Sequence, residues 1–580
     1  MSTQVLDACE AESAMITSTI SRETATRLTM SRRESVLTLV LLTLATLGIG
    51  LLLALDPRWG YDEAWHLYLS TVSPWTKALE EGLVDAHPPL HHLLLMPMAQ
   101  LGSDPFWFRL PSVLAATAMV PLWYWLLRRL RVVPAMALLG VVLLITSFAF
   151  LELAVSVRAY SFGLLFLTIG LLAATTLVPR SVSDTSGLGM APKPQPLIAA
   201  LALTIAFAFI YSALFVTLGL MLALALVWAG RAGPRLRQTL DWLRTWRFLD
   251  WTALLVWVVG SLSVLLWLAV GHGRGLGTAA PVHLESFTLY EGDSILEFAW
   301  CGLVGNAGWL MPQFSATTLG QTLAVAVFWT AAALVLAVAL WRRDNARVLM
   351  VLAAVMSTAM VFTAGVAGGY PFGGLMRHQV MLFPLYLVVI VLALDAVWSR
   401  LRSPRAQQVV GLAVVGFALL GLYRANSSDP VGEAHTDGMR PEISAVLACD
   451  SGRTLYVEGQ LFYPLYAAAY AQGIVFRTAL TERDGLPVEI PYGTGWFNGL
   501  ISPRDWDVFT MKDACGADRT LIRDRRRWTL PDTPDARLDS QLEALKTSLG
   551  VESLQVIRLR PEPVATSTDE PPTARCPMRR

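Results

Sequence analysis

The stretch SVLTLVLLTLATLGIGLLLAL (residues 35–55) runs without one charged side chain and stops at Asp56-Pro57-Arg58. About 20 apolar residues in a helix cross the roughly 30 Å hydrocarbon core of a bilayer, so this run reads as a membrane span. Comparable runs fall at 109–127, 134–153, 160–178, 197–210 with 213–229, 251–270, 319–341, 348–367, 380–397 and 408–423. The stretch 197–229 is too long for one crossing and breaks at Tyr211-Ser212, which makes it a helical hairpin. The pattern predicts an α-helical polytopic membrane protein of about eleven transmembrane helices.

Composition points the same way. Of 580 residues, 54% are hydrophobic and 15% charged, with a mean hydropathy of +0.51. Soluble proteins carry about 25% charged residues, so this chain is short of ionic surface. A net charge of +1 excludes a basic nucleic-acid binder and an acidic disordered chain. Twenty Trp and 22 Phe argue against disorder over most of the length. Five Cys and no CxxC pair do not make a disulfide scaffold or a structural zinc site.

The basic residues orient the map. With residues 1–34 as a disordered cytoplasmic tail, the inner segments hold Arg32-Arg33, Arg128-Arg129 with Arg131, Arg342-Arg343 and Arg400 with Arg402. The short outer segments hold only Arg58, Lys77, Arg109, Arg158, Arg274 and Arg377. This is the bias of the positive-inside rule. All eight His then fall on the outer side. The large outer segments are about 56–108, about 271–318 and everything after 424. In 424–561 the apolar runs give way to charge and Pro. Strand patterns at 454–458 and 554–559 flank a helical one at 461–472, which predicts a small α/β extracytoplasmic domain. Residues 562–580 are Pro- and Thr-rich and read as a flexible tail. Cys449 and Cys515 are a candidate disulfide in an oxidising compartment, leaving Cys576 over.

Four outer stretches carry the candidate chemistry. Trp59-Gly60-Tyr61-Asp62-Glu63 places two adjacent carboxylates directly after the first span. Either Asp62 caps an interfacial helix whose positive end favours Glu63, or a general base stands at the mouth of a membrane cleft. Asp85-Ala86-His87-Pro88-Pro89 starts a helix well. The apolar stretch from Pro88 to Leu101 is short for a span and reads as a juxtamembrane helix. His87 at its start is an interfacial residue or a contact to a lipid phosphate. Ser156-Val157-Arg158-Ala159-Tyr160 puts an Arg between two spans, where it snorkels or pairs with an anion. His87 and His91, with Glu285, Glu291, Asp293 and Glu297 in the second outer segment, leave a divalent cation open. Trp300, Trp309 and Asn306 are either an aromatic belt or a sugar platform.

Taken in order, Asp-Glu after the first span, His-Pro-Pro-Leu, Arg-Leu-Pro-Ser before a span ending in Arg-Arg-Leu, and Arg-Ala-Tyr opening a later span resemble the GT-C glycosyltransferases that use lipid-phosphate sugars. The resemblance is to the protein-mannosyltransferase-like and aminoarabinose-transferase-like branch of bacterial membrane enzymes, glycosyltransferase family 39 and relatives. Motif detail covers residues 35–180; the span pattern and Gly368 to His378 extend it to 423. The resemblance implies a GT-C transmembrane catalytic domain over 35–423, with Asp62 as catalytic base supported by Glu63. It implies that His87, Arg158, Tyr160, Arg377 and His378 surround the donor phosphate. The chain departs from the fuller Arg-Glu-Ala-Arg-x-Tyr form at Val155-Ser156-Val157.

A polyprenyl-phosphate sugar brings its own leaving group. The enzyme then has to deprotonate the acceptor and stabilise the departing phosphate. One displacement through an oxocarbenium-like state inverts the anomeric centre. No nucleotide motif is present. The implied partners are the donor lipid, a lipid, glycan or protein acceptor, and the bilayer of the cytoplasmic (inner) membrane. The rival readings are a transporter or flippase, and a polysaccharide polymerase or ligase. A transporter puts its ionisable groups at mid-membrane in related halves, whereas these spans carry few charges and no internal repeat.

Overall fold

The computed structural model describes residues 30–56, 61–71, 88–178, 195–232, 248–271, 294–311, 318–368, 370–373, 376–401, 403–427, 455–457, 506–513, 518–524 and 551–557. The helices are α1 (Arg32–Ala54), α2 (Tyr61–Thr71), α3 (Leu90–Leu95), α4 (Pro105–Arg129), α5 (Pro134–Ile145), α6 (Phe148–Val155), α7 (Tyr160–Ala174) and α8 (Gln195–Phe209). They continue with α9 (Ala213–Ala232), α10 (Phe248–Gly271), α11 (Ile295–Leu310), α12 (Thr318–Trp341), α13 (Asn345–Val366), α14 (Met376–Gln379), α15 (Phe383–Trp398) and α16 (Pro404–Ser427). Among the described residues, seven helices are long and apolar enough to cross a membrane, or eight if the bent pair α5 and α6 counts as one span. The shorter apolar helices α7, α8 and α9 occupy three further expected spans.

The bilayer accounts for which faces stay open. Leu52 of α1 is 71% exposed, Leu266 of α10 65% and Leu412 of α16 73%. Water would penalise so many bare leucines, while lipid does not. The inner faces close on one core through α4, α5, α7, α8, α9, α13 and α15. There Trp123 is fully buried and donates its indole N–H to the Gly140 carbonyl at 3.1 Å. Helices α9 and α13 approach closely at Gly219, where a Cβ would lie 2.5 Å from the Ser357 backbone nitrogen. Small residues let membrane helices approach in this way.

Helix starts follow local chemistry. Ser31 and Glu34 form a reciprocal capping box at α1, at 2.7 and 3.2 Å. Asp104 accepts from the Phe106 N–H at 2.8 Å, with Pro105 in the first turn of α4. Two expectations need correction. The run 134–153 is not one straight span: it turns by 59° at Thr146-Ser147. There both hydroxyls bond back to carbonyls of α5, and Ser147 caps α6. The stretch from Pro88 to Leu101 is not one helix either. It divides into α3 and a 3₁₀ turn, Met98–Gln100, on either side of Pro97.

At the end of the bundle that the basic bias places inside, Asp395 accepts from the Val133 N–H at 3.0 Å and from Arg347 Nη2 at 2.9 Å. Arg347 also donates to the carbonyls of Leu130 and Arg131, at 3.0 and 3.2 Å. The α4–α5 turn, in which Arg131 has φ +60°, is thus tied to α13 and α15.

Beyond α16 the described residues form a four-stranded sheet in the order β1-β3-β2-β4, with β1 Leu455–Val457, β2 Trp506–Asp513, β3 Asp518–Asp524 and β4 Val551–Ile557. Strands β1 and β3 are parallel, with Leu455 opposite Thr520, and β2 pairs antiparallel with both β3 and β4. Strands β1 and β4 fall on the two segments expected to be strands. The expected helix at 461–472 lies outside the described residues, as do Cys449 and Cys515.

Removing one partner of a buried ion pair costs about 3 to 5 kcal/mol. Asp395→Leu is therefore expected to lower stability by about that much in thermal unfolding of the detergent-solubilised protein, and the Arg347→Met/Asp395→Leu double variant to recover most of it. A double variant as unstable as the sum of the singles would rule out the coupling.

Candidate functional site

Glu63 lies at the end of the bundle opposite Asp395. It lies in the first turn of α2, 4% exposed, and accepts from Arg109 Nη2 at 2.7 Å and Arg109 Nε at 3.3 Å. Its Oε1 also accepts from the backbone N–H of Val157 at 2.9 Å. Arg109, in the second turn of α4, donates in addition to the carbonyl of Asp56 at the end of α1. One carboxylate and one guanidinium therefore bind four segments that are far apart in sequence. The fork-shaped pairing is the strong geometry for Arg.

This staple has the candidate base and the candidate cation as its immediate neighbours. Asp62 precedes Glu63 on α2, and Arg158 follows Val157. Arg158 is 5% exposed, with its guanidinium carbon 5.7 Å from the centre of the Tyr160 ring. Its carbonyl receives a long bond, 3.5 Å, from Ser112 Oγ, and Ser161 Oγ donates to the Leu153 carbonyl at 2.6 Å. The connection from α6 to α7 is thus pinned on both sides of Arg158.

The late basic pair sits on a folded-back segment. Tyr370 Oη donates to the His378 carbonyl at 2.7 Å, and Gln379 Nε2 donates to the Pro371 carbonyl at 2.7 Å. Two bonds thereby close the loop that leads into α14, the helix carrying Arg377 and His378. The next turn approaches α7: a Cβ on Gly163 would lie 3.4 Å from Met381 Cε. At the level of the backbone, then, Asp62, Arg158 and the segment of Arg377 and His378 belong to one end of the bundle. His87 lies outside the described residues, one position before buried Pro88.

Three further histidines meet beside the staple. His66 of α2 and His91 and His92 of α3 are buried, with ring centroids 5.1, 5.1 and 5.9 Å apart. The same two helices also contribute Leu67, Leu69 and Leu95 to a small buried apolar cluster with Phe108 and Val157. No three His, Cys, Asp or Glu groups among the described residues are arranged to hold a metal ion. Of the acidic residues considered for a cation, Glu285, Glu291 and Asp293 lie outside the described residues, and Glu297 is exposed in the first turn of α11. Trp300 is 41% exposed, whereas Asn306 is buried and lines a small apolar cavity with Phe328 and Tyr386.

The pairing of Arg109 with Glu63 and the meeting of His91 with His66 and His92 are what residue types alone did not show, although Arg109 opens the Arg-Leu-Pro-Ser motif and His91 was weighed as a cation ligand. A signal for Arg109 was present: a charge near the start of a membrane helix needs a partner.

The class defined by this architecture is a polytopic α-helical membrane protein with a polar site at one end of its bundle. Among solved structures, the chain is similar to the aminoarabinose transferase ArnT from Cupriavidus metallidurans bound to undecaprenyl phosphate. The identity is 16% over 75% of this chain and 75% of that chain, with a TM-score of 0.40. It is also similar to the Archaeoglobus fulgidus oligosaccharyltransferase. In the complex with zinc and sulfate the identity is 12% over 75% of this chain and 61% of that one, with a TM-score of 0.44. In the apo form it is 13% over 76% and 64%, with a TM-score of 0.40. The chain thus spans less than two thirds of the archaeal enzyme. No protein-family model matches the chain, and no curated protein does.

Glu63→Gln keeps the shape of the side chain but leaves Arg109 buried without its charge partner. An expected loss of about 3 to 5 kcal/mol should appear as a lower midpoint in thermal unfolding, with Arg109→Lys intermediate because Lys lacks the fork. An unchanged midpoint in Glu63→Gln would remove the staple from the account.

Proposed function

We propose that the chain is a GT-C-type membrane glycosyltransferase. It moves a sugar from a polyprenyl-phosphate donor to an acceptor hydroxyl on the outer face of the cytoplasmic membrane, with inversion. The observation that carries this reading is the Glu63 staple: it binds the residue after Asp62 to the residue before Arg158, so a candidate base and a candidate phosphate-binding cation share one rigid corner.

In the proposed reaction Asp62 takes the proton of the acceptor hydroxyl as the oxygen attacks the anomeric carbon. The bond from that carbon to the phosphate oxygen breaks, and the polyprenyl phosphate departs with the electron pair. Arg158, with His87, Arg377 and His378, stabilises the charge that develops on the phosphate. Tyr160 holds the Arg158 side chain from one face. Glu63, already engaged by Arg109 and Val157, acts as a positioning residue. The basic bias of the loops supports an outward-facing site and an outer C-terminal domain.

The distribution of buried charge favours an enzyme over a transporter. Among the described residues the buried Asp, Glu and Arg are Glu63, Arg109, Arg158 and Asp395, and all four lie at helix ends or in connections. A carrier that alternates access would concentrate such groups near the midplane.

Asp62→Asn is expected to reduce sugar transfer at least about 100-fold while leaving the protein folded and able to bind a polyprenyl phosphate. Transfer is followed in membranes with a radiolabelled lipid-linked sugar, and the physiological donor and acceptor by comparing envelope lipids and glycans with and without the gene. Unchanged lipid and glycan profiles together with full retention of function in Asp62→Asn would leave a transporter as the reading.

A further inference from the structure

We propose that the end of the bundle around Arg347 is a binding surface for the phosphate headgroup of an anionic phospholipid, in the leaflet that the basic bias places inside. Three helix connections meet there. Arg347, one turn after Arg343, donates to the carbonyls of Leu130 and Arg131 in the α4–α5 turn, at 3.0 and 3.2 Å. It also reaches Asp395 in the last turn of α15, at 2.9 Å, five residues before Arg400. The turns that carry Arg131, Arg343 and Arg400 are therefore neighbours.

The surface they form is strongly cationic. Arg128, Arg131, Arg342, Arg343, Arg400 and Arg405 are exposed on or beside these connections. The two carboxylates of the same stretches, Asp344 and Asp395, both face Arg347, at 3.5 and 2.9 Å. They neutralise that residue and are not shared with the exposed six. Among the described residues, no side-chain hydrogen bond or ion pair engages Arg342, Arg343 or Arg400. Like charges gathered in this way repel one another until an anion joins them.

Two backbone outliers mark the same place. Helices α4 and α12 end in the same kind of turn. The Val132 N–H returns to the Leu127 carbonyl at 3.1 Å, and the Asp344 N–H to the Ala339 carbonyl at 2.8 Å. The residue before each donor, Arg131 or Arg343, has φ +60° or +53°. Among the described residues these are the two non-glycine positions with positive φ. Glycine takes this conformation without steric cost and is the usual residue at such a helix end. The positive-inside rule asks for cations in the loop, and the helix dipole for one in the last turn. Arg128, Arg129 and Arg342 already meet both demands. A cation kept at the strained position in two adjoining turns points to a ligand whose contacts offset the strain.

The surroundings define that ligand. Trp341, directly before Arg342, is 82% exposed, and Trp125, three residues before Arg128, is exposed as well. Exposed tryptophan in a membrane protein sits at the level of the lipid headgroups. Leu340, the next residue toward the hydrocarbon, is exposed too. The arginines thus stand at phosphate depth with apolar surface directly below them. This fits an amphiphile with an anionic head, and the planar fork of Arg suits its phosphate. A soluble acidic protein or a nucleic acid would engage the charge and leave the tryptophans and leucine idle.

The test reads lipid retention and so stands whatever the reaction is. Full-length protein in detergent is stripped of lipid and loaded with phosphatidylglycerol or phosphatidylcholine, and bound lipid is counted by native mass spectrometry. The wild type should hold phosphatidylglycerol at least about tenfold more tightly, and less tightly as salt is raised. Arg131→Gly/Arg343→Gly removes two cations together with the strain. Its thermal midpoint in lipid-free detergent should not fall, while its preference for phosphatidylglycerol drops by about tenfold or more. Arg342→Gln/Arg400→Gln leaves both turns as they are and should weaken the preference as well. Arg158→Gln, at the other end of the bundle, should preserve it, which separates this surface from the proposed donor site. Equal retention of the two lipids by the wild type, or an unchanged preference in both double variants, would overturn the inference. So would loss of the preference in Arg158→Gln, or displacement of the lipid by millimolar inorganic phosphate.

Discussion

A carboxylate buried at the rim of a membrane is stable only if every oxygen finds a donor and its charge finds a partner. Glu63 meets that demand with the Arg109 fork and the Val157 N–H, and Arg109 spends its remaining arm on the Asp56 carbonyl. These bonds work only if the end of α1, the start of α2, the start of α4 and the α6–α7 connection arrive together. The order of this end of the molecule follows from that requirement. Hydrophobic burial supplies the bulk of the bundle, but it has no direction and would tolerate several rotations of α2.

The opposite end repeats the device with different residues. Asp395 and Arg347 bring the α4–α5 turn, α13 and α15 to one point. Helix α4 therefore takes part in an ion-pair network at each end, through Arg109 and through the carbonyl of Leu130. Between them it is lined by Val113, Met119, Val120 and Trp123, all nearly or fully buried. The span is set by apolar packing along its length, and its rotation and height by charge at its ends.

Much of this was legible in the sequence because the period of a membrane helix is written in long uncharged runs. The runs at 35–55, 319–341 and 380–397 became helices within a few residues of their limits. What residue types do not encode is pairing. Glu63 and Arg109 stand 46 positions apart, and nothing local says that one belongs to the other or that Val157 shares the bond. The bend at Thr146-Ser147 was masked for the same kind of reason: two hydroxyls in an apolar run read as neutral filler until their bonds to carbonyls one turn back are seen. Strands β2 and β3 went unnoticed although they flank Ala514-Cys515-Gly516-Ala517, a short Gly-containing connection of the kind that joins hairpins.

The shared bond at Glu63 also has a mechanical meaning. Because the same carboxylate holds the backbone on one side of Asp62 and on the other side of Arg158, thermal displacement of α2 drags the α6–α7 connection with it. The backbone beside Asp62 and the backbone beside Arg158, the two proposed site residues, are thus tied through one shared bond. A push on α2 from the lipid side is therefore passed to the α6–α7 connection through that carboxylate rather than absorbed by α2 alone.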